Sequence, residues 1–135
     1  MKQPSHKWVI IDDLMISLTT PGRDADSVWA DCAKDLSTRP ITRYLAMGMG
    51  ELDVTSVQRK MVSDACIKRG IEVAVLTDEQ IVRGLVTAVS WLGVKIKAFP
   101  FSKADEALAH LKVPKPILDE AMRAIVKLKL TYRPG

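Results

Sequence analysis

The hydroxyl pair Thr55 and Ser56 is the place in this chain where residue types and spacing most readily permit chemistry. The pair follows an apolar, strand-like run at 41–47 and a glycine-rich turn, and it precedes a helical pattern. Hydroxyls at a helix start lie beside unpaired backbone N–H groups and the positive end of the helix dipole, so a phosphate can be added or bound there. The competing interpretation is structural, because Thr55 and Gln58 also fit the Thr-x-x-Gln capping box.

Signatures of enzymatic catalysis are sparse in the rest of the sequence. His6 is assigned to a polar N-terminal tail and His110 to the surface end of a helix. No Gly-x-Ser-x-Gly, Walker-type or dinucleotide-binding glycine motif occurs. Cys32 and Cys66 have no metal-ligand spacing, and we expect them to be buried, reduced thiols. These observations predict a protein that is not an enzyme and that uses no metal or cofactor.

Asp12 and Asp13 are candidates for a phosphoacceptor aspartate. Both follow the first strand-like run, as the acceptor does in flavodoxin-like receiver domains. The next element here is a second strand rather than a crossover helix, which argues against a receiver.

Composition limits the class of protein. The 135 residues are 47% hydrophobic and 27% charged, which is typical of one soluble globular domain. The net charge of +4 comes from basic residues scattered among sixteen acidic ones, and aromatic residues are few, so nucleic-acid binding is not indicated. No apolar run is long enough for a membrane span, and the N-terminus lacks an apolar leader, so we expect a cytoplasmic protein.

Apolar periodicity predicts strands that alternate with helices. Two short strands flank Asp12 and Asp13 as a hairpin, and Gly70 is expected to end a helix. The predicted strands are 8–11, 14–18, 41–47, 71–76 and 94–99, and the predicted helices are 24–36, 57–69, 81–92 and 102–112. This order predicts an α/β fold with a mixed, mostly parallel sheet of four or five strands, an N-terminal hairpin and flanking helices.

The segment after Val113 departs from this alternation. Pro114 and Pro116 restart the chain, and an amphipathic helix runs from Ile117 to Leu130 with a basic end. We therefore divide the chain into an α/β domain at 1–112 and a helical extension at 113–135 that packs on the domain or on a partner. A homodimer through Ile117 to Leu130 is one expected use of this helix.

The chain resembles the STAS family, the single-domain anti-sigma-factor antagonists of bacteria. The element order is similar, and residues 73–85 and 92–108 resemble the last strand-helix-strand-helix section of that family. The pair Thr55 and Ser56 matches the hydroxyl pair at the start of the helix after the third strand. The likeness covers about residues 7–112.

The resemblance implies a non-catalytic module that binds a protein partner, of partner-switching or scaffold type. It implies Ser/Thr phosphorylation at Ser56 or Thr55, with Ser56 as the preferred position. The implied partner surface comprises Met49, Thr55, Ser56, Arg59 and Lys60, and the implied partner is a kinase-type or other signalling regulator. Two alternatives stay open: a lipid or small apolar ligand-binding domain of the SEC14 type, and a self-assembling structural protein.

Overall fold

The computed structural model of the chain describes residues 5–80 and 95–132. The helix predicted at 81–92 lies outside the described residues. The described part contains five strands: β1 (His6–Ile11), β2 (Leu14–Thr19), β3 (Arg43–Gly48), β4 (Glu72–Leu76) and β5 (Ile96–Phe99). It also contains a 3₁₀ turn (Phe101–Lys103) and four α-helices: α1 (Asp26–Thr38), α2 (Ser56–Arg69), α3 (Ala104–His110) and α4 (Lys115–Lys129).

The strands form one five-stranded sheet in the order β1-β2-β3-β4-β5. β1 and β2 are antiparallel, and the other neighbours are parallel. The prediction of an α/β fold with a mixed, mostly parallel sheet and an N-terminal hairpin is therefore confirmed. The hairpin closes through two residues, because Ile11 pairs directly with Leu14. Asp12 has a φ of +52° in that turn, a conformation that aspartate tolerates better than most residues.

One face of the sheet is covered by α1 and α2, which also pack against each other. The inward residues of α1 are Trp29, Cys32 and Leu36, at the spacing of one helix face. They join a core that includes Met15 and Tyr44 on the sheet. Alternation along the strands leaves Leu14, Ile16 and Leu18 for the opposite face. The strand β2 is buried on both faces along its whole length.

The opposite face is covered by α3 and α4. The C-terminal helix buries Ile117, Ala121, Ile125 and Leu128 in the same core as the inward leucines of β2. Its apolar stripe therefore packs on the chain's own sheet. The large apolar side chains exposed along α4 and at the residue that follows it are those of Val126 and Leu130, at 53% and 71%. A dimer through this helix would have to use that outer side.

Several boundaries differ from the sequence prediction for local reasons. Ile41 is buried, but β3 begins only at Arg43. The N–H groups of Thr42 and Arg43 both donate to the Asp13 carbonyl in the hairpin turn, so regular pairing with β2 starts beyond Ile41. The segment predicted as a helix at 102–112 begins with the 3₁₀ turn and continues as α3 to His110. Lys112 lies beyond the end of α3 and has a φ of +56°. Gly70 ends α2 with a φ of +64°, as predicted.

Candidate functional site

The first turn of α2 is closed by the capping box that the sequence predicts. The Gln58 backbone N–H donates to Thr55 Oγ1 at 3.1 Å, and the Thr55 N–H donates to Gln58 Oε1 at 3.2 Å. The Thr55 hydroxyl is thus engaged as an acceptor within the helix cap. Substituting such a residue by alanine typically costs about 1 kcal/mol. Thr55 therefore has a structural role in this fold.

Ser56 occupies the first helical position of α2, and its side chain is exposed. No acidic residue lies in the first turn of this helix, so the positive end of the dipole has no carboxylate of its own helix beside it. A negative group on Ser56 would meet a favourable potential there. The structure thus separates the two predicted hydroxyls, because Thr55 is used in the cap and Ser56 is open to solvent.

The other predicted surface residues have different surroundings. Arg59 and Lys60 are exposed on α2, and Lys60 Nζ lies 2.7 Å from Asp64 Oδ2. Met49 is half-buried at the beginning of the β3–α2 loop and packs against the core beneath α3 and α4. A further apolar side chain, that of Val57, is 56% exposed next to Ser56. Helical spacing with Met61, Val62, Ala65 and Cys66 predicts Val57 on the apolar stripe of α2, but the structure leaves it exposed at the first turn.

Gln58 joins the candidate site to the rest of the fold. Its side chain is buried, and its Nε2 donates to the Asp24 carbonyl at 3.0 Å and to Asp26 Oδ1 at 2.9 Å. The same amide group therefore closes the cap of α2 and holds the beginning of α1. A buried amide with these partners fixes the relative position of the β2–α1 and β3–α2 loops.

Two carboxylates anchor these loops: that of Asp24 ties the β2–α1 loop to the beginning of β1, and that of Asp53 links the two loops to each other. Asp24 was predicted to begin α1, but α1 begins at Asp26, because the Asp24 carboxylate accepts the N–H groups of Ser5 (3.1 Å) and His6 (2.8 Å) instead. Asp53 receives a hydrogen bond of 2.7 Å from Arg23 Nη2, with both side chains more than half exposed. This ion pair bridges the two loops at the surface, where screening by solvent keeps such pairs weak.

The assignment of His6 to a polar tail is wrong. His6 is the first residue of β1 and is only 1% exposed, with its ring stacked on Trp29 at a centroid distance of 3.8 Å. Its Nδ1 lies 2.9 Å from Thr19 Oγ1, and its Nε2 has no hydrogen-bond partner among the residues that the structure describes. Burial lowers the pKa of His6 to about 4, and the nearby Asp24 carboxylate opposes this shift only in part. The imidazole is therefore neutral at physiological pH.

The cysteines behave as the sequence predicts. Cys32 and Cys66 are buried, free thiols in the core beneath α1 and α2. Burial raises the pKa of both thiols to about 12, so neither is a reactive thiolate at neutral pH. His110, as expected, is exposed at the end of α3.

Among the residues that the structure describes, none of the helices combines the length and the apolarity that crossing a membrane requires. Comparisons with protein-family models, with curated proteins and with solved structures found no significant match to this chain.

Proposed function

We propose that this chain is a non-catalytic regulatory module that binds a protein partner through the surface at the start of α2, and that phosphorylation of Ser56 controls the binding. The observation that carries the proposal is the exposed Ser56 hydroxyl at the first position of α2, beside a cap that Thr55 and Gln58 complete without it. Ser56 can therefore be modified without loss of the cap. Thr55 is the weaker candidate, because a phosphate on its Oγ1 would disrupt the capping box.

The fold can accept the added charge. A phosphoserine carries about −1.5 to −2 charges at neutral pH. Those charges would lie at the positive end of the α2 dipole, with the exposed Arg59 one turn along the same helix. The buried contacts of Gln58 do not involve the Ser56 side chain. We therefore expect the modified protein to keep its structure.

A bound partner would be affected more strongly. Val57, at 56% exposure, offers an apolar contact directly beside the hydroxyl. A partner that packs over Val57 and Ser56 would bury the phosphate, and burying a charge without a counter-charge costs several kcal/mol. The same change that the domain tolerates would thus release the partner, which is the behaviour of a partner-switching module.

The family resemblance supports this proposal by analogy. Antagonists of anti-sigma factors carry their phosphorylated hydroxyl at the start of the helix after the third strand, and Ser56 begins α2 directly after β3 in the described topology. Many unrelated activities share one fold, so the argument for function rests on the site. The partner that we propose is a kinase-type or other signalling regulator.

The test compares charge at Ser56 with charge at a matched position. Ser27 is an exposed serine in the first turn of α1, so Ser27→Asp places the same charge at the start of another helix. Tagged wild type, Ser56→Ala, Ser56→Asp and Ser27→Asp would be used as baits in an extract of the native organism. We expect a protein that wild type, Ser56→Ala and Ser27→Asp retain and that Ser56→Asp loses, with binding weakened at least about tenfold in titrations, equivalent to about 1.4 kcal/mol.

Mass spectrometry of the protein isolated from its own cells should also find phosphate on residue 56. Equal affinity of Ser56→Asp and Ser56→Ala for an identified partner would refute the switch and leave Thr55 and Ser56 as helix-start residues only.

A further inference from the structure

The C-terminal end of the chain reaches the loop that leads to Ser56. Tyr132 is half-buried and packs against the same core as Met49. Gly50 follows Met49, and a Cβ atom placed on Gly50 would lie 3.1 Å from the Tyr132 hydroxyl oxygen. The same Cβ would lie 2.8 Å from Pro21 Cγ in the β2–α1 loop. Three distant segments of the chain thus meet at Gly50.

The segment that carries Tyr132 is fixed by hydrogen bonds on two sides. The Tyr132 N–H donates to the Lys129 carbonyl at 3.1 Å, which continues the last turn of α4. Thr131 Oγ1 donates to the Leu128 carbonyl at 2.6 Å and accepts from Lys7 Nζ of β1 at 3.0 Å. Tyr132 therefore leaves α4 in a defined direction, with its hydroxyl at the β3–α2 loop.

The loop itself is anchored mainly at its two ends. The Met49 N–H donates to the Thr19 carbonyl at 3.0 Å, and the Thr55 N–H donates to Gln58 Oε1. Between these anchors Gly50 has a φ of +77°, a conformation that glycine adopts without strain. The Tyr132 hydroxyl and the Pro21 ring beside this glycine limit the paths that the loop can take.

We infer that Tyr132 is a positioning residue of the proposed partner surface. Its side chain, held by the end of α4 and by packing on the core, places the hydroxyl against the β3–α2 loop at Gly50 and so fixes how Met49 and the start of α2 are presented. The inference rests on the proposed function in one respect, that this surface binds a partner. The mechanical part, that the C-terminal segment holds this loop, stands on the contacts alone. It gives the segment after α4 a role at the candidate site, although the sequence assigns that segment to a separate extension.

Two glycine substitutions test the contact from the side of the loop. Gly50→Ala and Gly70→Ala both place a side chain at a positive φ, +77° and +64°, so the backbone strain is similar. The added methyl group meets neighbours at Gly50, whereas none of the residues that the structure describes lies within 4 Å of a Cβ at Gly70. We expect amide hydrogen exchange at Thr131 and Tyr132 to accelerate at least about fivefold in Gly50→Ala and to stay within about twofold in Gly70→Ala. Equal exchange of these amides in the two variants would overturn the inference.

Tyrosine substitutions test the contact from the other side. Tyr132→Ala should accelerate exchange of the Met49 and Thr55 amides, which donate hydrogen bonds at the two ends of the loop, at least about fivefold, while the amides of β3 and of the middle of α2 keep their protection. Tyr132→Phe keeps the ring on the core but removes the hydroxyl that lies at Gly50, so it should accelerate the same amides, by less than Tyr132→Ala does. Unchanged amide hydrogen exchange at the ends of the loop in Tyr132→Ala would overturn the inference, and so would equal acceleration of all amides. Neither measurement needs a partner, so these experiments test the contact independently of the proposed function.

The partner surface is tested separately, once a protein that distinguishes Ser56→Asp from Ser56→Ala is in hand. Tyr132→Ala should then weaken its binding at least about threefold and Tyr132→Phe by less, because a loosened loop has to be ordered on binding. Unchanged affinity of Tyr132→Ala would show that the contact exists without serving the partner surface, and would refute the positioning role.

Discussion

His6 and Ser56 are polar residues that each begin a secondary-structure element, and the fold treats them in opposite ways. His6, at the start of β1, is 1% exposed, with its ring stacked on Trp29. Ser56, at the start of α2, is exposed beside a completed cap. The histidine has the more versatile chemistry, but burial lowers its pKa to about 4 and leaves it neutral. Accessibility, more than residue type, thus decides which of the two can serve as a control point.

The two places are connected through the β2–α1 loop. The Asp24 carboxylate accepts the His6 N–H, and the Asp24 carbonyl accepts a hydrogen bond from Gln58 Nε2 in the first turn of α2. The buried polar groups therefore form a rigid support, and Ser56 lies at its surface. Substitutions on the buried side should change stability, and substitutions at Ser56 should change stability very little.

The largest effect is expected from titration of His6. Because the folded-state pKa is lowered from 6.5 to about 4, the neutral ring contributes stability above pH 6.5, and this contribution is lost as the pH falls through the folded-state value. The full difference is about 3 kcal/mol, at about 1.4 kcal/mol for each pKa unit. We expect the free energy of unfolding of wild type minus that of His6→Phe, measured by urea unfolding, to fall by about this amount between pH 7.5 and pH 4.

His6→Phe is the suitable reference because it keeps a planar ring on Trp29 and removes the titrating group. The carboxylates of the protein titrate in both wild type and His6→Phe, so their contributions cancel in the difference. If this difference in the free energy of unfolding were constant between pH 7.5 and pH 4, His6 would not titrate as its burial implies.

Gln58 should give the next largest effect. Gln58→Ala removes both halves of its role, the acceptor for the Thr55 N–H and the donor to Asp24 and Asp26. Since the buried Gln58 side chain and all three of its hydrogen bonds are lost, we expect a loss of about 2 kcal/mol in the free energy of unfolding. Gln58→Glu keeps the capping acceptor but loses the donor and places a negative charge beside Asp26, so it should also be destabilising. If Gln58→Glu were as stable as wild type, the link between the two loops would carry no energy.

The difference between the two places also shows what the sequence could predict. The capping box of Thr55 and Gln58 was predictable because its partners are three residues apart, and the hairpin because two apolar runs flank Asp12 and Asp13. Burial of His6 was not predictable from its neighbours in the polar N-terminal sequence. It arises from α1, which brings Trp29 against the strand.

Other contacts of the candidate site escaped prediction for the same reason. The second role of Gln58 requires the β2–α1 loop to fold against α2, and no local pattern encodes that. The approach of Tyr132 to Gly50 joins the two halves of the chain. The sequence shows Gly50 only as a turn former and Tyr132 only as the end of a helical segment. Patterns within one element predict that element, whereas a site built from several loops depends on tertiary packing.

Thr55 should show an intermediate effect that separates it from its neighbour. Thr55→Ala removes the hydroxyl that accepts the Gln58 N–H, so we expect a loss of about 1 kcal/mol in the free energy of unfolding. Thr55→Ser keeps a capping hydroxyl and should stay within about 0.5 kcal/mol of wild type. Denaturant unfolding of the three proteins measures both differences. A Thr55→Ala variant as stable as Thr55→Ser would mean that the cap contributes nothing.

The smallest effect is expected at Ser56 itself. Ser56→Ala removes an exposed side chain outside the cap and should change the free energy of unfolding by no more than about 0.5 kcal/mol. Ser56→Asp should be as stable as wild type or more stable by about 0.5 kcal/mol at low salt, because a carboxylate at the first position of α2 interacts favourably with the helix dipole. That gain should fall in 1 M salt, where the Debye length is only about 3 Å. Thermal and urea unfolding at two salt concentrations measure these differences. A loss above about 1 kcal/mol in either variant would show that Ser56 belongs to the buried support and would remove the physical basis for a switch that changes binding while the fold is kept.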